Sequence, residues 1–126
     1  MRIVIGLALL LLITGPLMAK PTHVRSSLMA QSAIKKPVGS WRLFHSDGKP
    51  LMVFVLEDGT CTSDWEEQQG TWTNKDGRLL LTWSDGWQDL ISEEKGLLVK
   101  RGFAPKVPLT GKPANITDAF KLEAQQ

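Results

Sequence analysis

Two histidines, His23 and His45, and one cysteine, Cys61, are the side chains of this chain best suited to act as a base, a nucleophile or a soft metal ligand near neutral pH. Catalysis needs such a group beside a reacting partner. His23 lies in an N-terminal segment without periodicity. His45 is followed by Ser46 and Asp47, but a Ser, His and Asp adjacent in sequence make a solvated turn and not a triad, which converges from distant positions. Two separated histidines and one cysteine do not supply a zinc set. Asp47, Asp58, Asp76 and Asp85 are each followed directly by glycine and lack the D-x-D spacing of a calcium loop. The residues therefore name no catalytic group, no metal site and no cofactor, and the chain reads as a non-enzyme. Five tryptophans remain. Trp65 and Trp87 lie where strands meet turns and are the candidates for stacking on a ligand. Trp41, Trp72 and Trp83 read as core, and Cys61 reads as a small buried residue.

The elements that must position these residues are announced by the Asp-Gly pairs. Asp-Gly between apolar runs signals a tight hairpin, because such turns need residues that tolerate φ > 0. Gly48, Gly59, Gly77 and Gly86 are thus structural positions. The turns predict strands over Gly39–Phe44, Leu51–Leu56, Thr60–Trp65, Gly70–Asn74, Arg78–Trp83, Trp87–Ser92 and Leu97–Phe103. Helical periodicity is not sustained in any segment. The fold class is all-β: a six- to eight-stranded antiparallel meander forming a small barrel or strongly curled sheet. Alternation places Leu79, Leu81 and Trp83 on one face, and Cys61, Ser63 and Trp65 on one face. Trp41 and Leu43 join that core. Beyond Phe103, prolines at 105, 108 and 113 suit an extended arm, with a short helix over Thr117–Ala124 capped by Thr117.

The ends of the chain speak to location. Met1-Arg2, an apolar run from Ile3 to Ile13, a Gly15-Pro16 break and Ala19 before Lys20 have the order of a secretory signal peptide. Residues 1–19 read as that signal, 20–38 as a flexible lead-in, 39–103 as the barrel domain and 104–126 as the C-terminal arm. The expected location is periplasmic or extracellular, in a bacterial envelope; the alternative is anchoring by an uncleaved N-terminal helix. Asn115-Ile116-Thr117 matches a glycosylation acceptor, which matters only in a eukaryotic host. From Trp41 to Lys95 eleven acids face five bases, whereas the flanking arms are basic. An acidic exported barrel excludes nucleic acid. Membrane contact would come only through an uncleaved signal segment or the basic arms.

Gly39-Ser40-Trp41 recurs as Gly70-Thr71-Trp72, with Asp58-Gly59-Thr60 between them and Leu81-Thr82-Trp83-Ser84-Asp85-Gly86-Trp87 after. This ordered set, over residues 39 to 103, resembles the lipocalin-like (calycin-type) β-barrels, and resembles small exported bacterial barrels of uncharacterised role. The resemblance implies the barrel fold and, for lipocalins, an apolar guest. Lipocalins have longer strands, and many carry two disulfides; this chain has short strands and one cysteine. An eight-stranded barrel is just wide enough for its own side chains. The expectation is a monomeric, non-enzymatic binding or interaction module of the envelope, with an envelope partner or ligand as yet unknown. The alternative is a lipocalin-like carrier of a small apolar ligand.

Overall fold

The computed structural model describes residues 31–123. The expected signal peptide and the first part of the lead-in lie outside the described residues. Ten strands follow in order: β1 Gln31–Ser32, β2 Gly39–Phe44, β3 Pro50–Val55, β4 Thr60–Ser63, β5 Gln69–Lys75, β6 Arg78–Trp83, β7 Gln88–Glu94, β8 Leu97–Phe103, β9 Asn115–Asp118 and β10 Phe120–Lys121. From β2 to β9 each strand pairs antiparallel with the next, and β10 returns to pair with β2. The result is the expected all-β meander, a nearly closed barrel of nine strands against the six to eight read from the turns. β1 adds to the side of β7 at Glu93 and Glu94, and Ile34 behind it is buried. The lead-in is therefore part of the barrel from Gln31 onward and not a free arm.

The Asp-Gly turns are of two kinds. At Gly48, Gly59 and Gly86 (φ 89, 91 and 96°) only the glycine is left-handed, and its N–H returns to the carbonyl three residues earlier. In these three turns the aspartate side chain accepts the N–H two residues on: Asp47 from Lys49, Asp58 from Thr60 and Asp85 from Trp87. This is a three-residue loop closed by a glycine bulge, with an Asx turn built in. At Asp76-Gly77 both residues have positive φ (54 and 80°), and Lys75 pairs directly with Arg78. That is the two-residue turn that matches strand twist. Lys95-Gly96 repeats it.

Inward alternation builds the core. Trp41, Leu43, Val53, Val55, Cys61, Leu79, Leu81 and Ile91 are all at most 1% exposed, and Trp83 joins their cluster. Trp72 is half-buried against this cluster, and its indole N–H donates to Leu56 O at 2.7 Å. It packs at the edge of the core and ties β5 to the β3–β4 turn. Gly70 explains the second Gly-x-Trp. It pairs with Trp83 across β5 and β6, and a Cβ there would collide with Thr82 O. β4 ends at Ser63, so Trp65 lies beyond the strand in which its alternation placed it.

The barrel does not stop at Phe103. Residues 115–121, where a helix was expected from Thr117, form the closing strands β9 and β10. β9 pairs with β8, then β10 pairs with β2, and between them buried Ala119 donates its N–H to Leu98 O. Alternation explains the strand: Ile116, Asp118 and Phe120 are exposed, while Thr117 and Ala119 face the other way. A helix would have left the last edge of β8 and the first edge of β2 without hydrogen-bond partners.

Candidate functional site

The connections β2–β3, β4–β5, β6–β7 and β8–β9 gather at one end of the barrel. The first three, with Asn115 at the start of β9, rim a cavity of about 200 Å³. Leu43 and Leu51 form an apolar wall. Trp83, Asp89 and Lys100 supply a deeper polar side, and Trp65, Trp87 and His45 stand where the loops begin. The structure thus brings both ligand candidates, Trp65 and Trp87, to one cavity, and each is half-buried there. Of the tryptophans read as core, Trp41 and Trp83 are buried and Trp83 also lines the cavity.

Trp65 is held by its loop. Its backbone N–H donates to Ser63 Oγ, and Gln68 N–H closes the turn onto Trp65 O. The turn residues Glu66 and Glu67 both have positive φ (53 and 51°). Two adjacent left-handed residues without glycine are costly, on the order of 1–2 kcal/mol each. The loop is fastened elsewhere: Gln68 Nε2 donates to Asp85 Oδ2 at 2.6 Å, joining two rims of the cavity. The indole of Trp65 stacks on the His45 ring with centroids 4.3 Å apart and 24° between planes. His45, read from sequence as a turn residue, is therefore part of an aromatic wall.

Asp89 and Lys100 were not among the residues sequence reasoning singled out for a role. Asp89 is directly opposite Gly102 on β8, and Lys100 is two residues before Gly102, so the two side chains meet diagonally on the inner face. Trp83 Nε1 donates to Asp89 Oδ2 at 2.8 Å. Lys100 Nζ donates to Phe44 O at 2.8 Å and stands 3.7 Å from Asp89 Oδ1, an ion pair rather than a hydrogen bond. Burial pushes Asp89 above the ordinary carboxylate range, against the pull of the nearby ammonium. Burial likewise pushes Lys100 below the ordinary lysine range, against the pull of the carboxylate. The cue in the sequence was that Asp89 shares a strand face with Trp87 and Ile91.

Asn115 sits opposite Gly102 on the other side and also lines the cavity. Its side-chain oxygen is buried with no hydrogen-bond partner among the described residues. Its amide packs so close that a Cβ on Gly102 would meet it at 2.8 Å. Among the described residues no group of three His, Cys, Asp or Glu side chains is placed to hold a metal ion. Cys61 is fully buried away from the cavity wall, its thiol directed at Thr71 O at 3.6 Å and pushed up to about 12 by burial and by the Asp89 charge. Compared with protein-family models, with curated proteins and with solved structures, the chain finds no match.

Proposed function

We propose that this protein is an exported, non-enzymatic binding module of the cell envelope, on a lipocalin-like barrel, whose recognition site is the aromatic-rimmed cavity at the loop end. The observation that carries the reading is the convergence of Trp65 from one connection, and Trp83 and Trp87 from the two sides of another, on one cavity. Aromatic faces with a few placed polar groups are what small-molecule sites are made of. The titratable pair in the cavity supports holding rather than turnover. Asp89 is engaged by Trp83 and Lys100, and Lys100 by Phe44 O, so neither is poised as a free base. Export rests on the order of charge, apolar run and small residue in the first nineteen positions.

An apolar guest of carrier size fits this cavity less well. Drug-sized ligands occupy roughly 300–1,000 Å³, and the cavity of about 200 Å³ holds a fragment. The test is a screen of one-ring compounds by NMR, following the indole N–H signals. Compounds should shift Trp65, Trp83 and Trp87 together while leaving the Trp41 and Trp72 signals in place. A screen in which no compound moves the first three signals would overturn the reading. Fractionation of the expressing cell tests export separately; retention in the cytoplasm would remove the envelope assignment.

A further inference from the structure

We propose that the ligand of this cavity is a small organic cation, a primary ammonium carried on a body of about one ring. The inference rests on the reading of the cavity as a recognition site and adds the chemistry of the occupant. Three carboxylates, Glu66, Asp85 and Asp89, line the space against one ammonium, Lys100. Lys100 and Asp89 balance each other, and the amine of Lys100 is further held by Phe44 O. The excess charge is therefore that of Glu66 and Asp85 at the rim. Glu66 makes no ion pair among the described residues. Among the described residues, Asp85 receives only neutral donors, Gln68 Nε2 and the Trp87 N–H.

The uncharged groups point the same way. Trp65 and Trp87 flank the carboxylates, and indole faces attract cations and repel anions. An anion would meet two uncompensated carboxylates. A neutral guest would leave the carboxylates unanswered. The size limits the body: about 200 Å³ leaves room for one ring and a short arm.

Titrating the protein with benzylammonium, benzyl alcohol and benzoate at low ionic strength tests the inference, with calorimetry and tryptophan fluorescence as readouts. Benzylammonium should saturate one site and bind at least about tenfold more tightly than the alcohol, the scale of a desolvated cation–π contact assisted by a carboxylate. Glu66→Gln lies in an exposed turn and should weaken benzylammonium severalfold while leaving benzyl alcohol unchanged. Equal affinity for ammonium and alcohol, or a preference for benzoate, would overturn the cation assignment and leave the cavity standing as a binding site. Failure of all three probes to bind would overturn the site reading and the cation assignment together.

Discussion

Asp89 and Lys100 meet 3.7 Å apart inside the barrel, with the carboxylate held by the Trp83 indole and the ammonium by Phe44 O. This chain of contacts links β6, β7, β8 and β2. It runs across the place where the barrel lacks a continuous ladder, since β2 and β8 are joined only through the short strands β9 and β10. Lys100 thus stitches the seam with its side chain. Asp89→Asn should keep the acceptor for Trp83 but leave a buried ammonium without its counter-charge. We expect a loss of about 3–5 kcal/mol, the usual result of breaking a buried pair from one side. Asp89→Asn with Lys100→Met should recover a large part of that loss. Urea denaturation of both variants checks it: a double variant no more stable than the single one would show that the pair is not energetically coupled.

The turns separate by kind. Gly59→Val forces a β-branched residue to a φ of 91° in open space, whereas Gly77→Val forces one to 80° and also drives its Cβ to 3.0 Å from Ala33. Both should lose more than about 1 kcal/mol, the scale of left-handed strain. The Gly77 variant should lose more, because β1 must move as well. Chemical denaturation midpoints provide the measurement. Equal losses would mean that the contact between Gly77 and the β1 segment adds nothing to stability.

Most of the strands could be read before the structure, and the reasons are local. Asp47-Gly48, Asp58-Gly59, Asp76-Gly77 and Asp85-Gly86 each encode a turn within four or five residues, and the runs between them alternate. What could not be read depends on distant pairing. β9 and β10 are four and two residues long and follow a proline-rich connection; their strand character comes from the open edges of β8 and β2. Lys100 looked like one more basic residue because its partners, Asp89 and Phe44 O, are eleven and fifty-six positions away. Trp65 and Trp87 were legible as tryptophans where strands meet turns, but that they share a cavity follows only from how the loops converge.

Cys61 predicts a pH dependence. Its thiol is raised from 9.0 to about 12 in the folded protein. A raised pKa means that the folded state keeps the proton where the unfolded chain gives it up. The associated stability is therefore whole below pH 9 and declines as pH rises from 9 toward 12. Cys61→Ala should flatten the part of the alkaline decline that this thiol causes. Labelling of the native wild type by a thiol reagent should stay slow between pH 7 and about 10, and become fast in denaturant. Rapid native labelling at pH 8 would place the thiol on the outer surface of β4.

The interior of the barrel is filled against a long apolar guest. Trp41, Leu43, Leu79, Leu81 and Ile91 converge on its interior and are essentially without solvent exposure. Trp83 closes the core beneath the cavity, and the Asp89–Lys100 pair occupies the polar side. A fatty acid inserted past them would have to displace core side chains or bury its chain against a charged pair. We expect no saturable binding of fluorescent fatty acids at micromolar concentration, read by tryptophan quenching. Trp83→Ala should destabilise by about 3–5 kcal/mol, the range for removing a buried aromatic side chain, which could unfold so small a barrel. Trp83→Phe serves as the second variant, because it keeps a ring in place while removing the N–H donated to Asp89. One-to-one fatty-acid binding by the wild type that Trp83→Phe weakens without lowering thermal stability would show that the interior opens to an apolar chain.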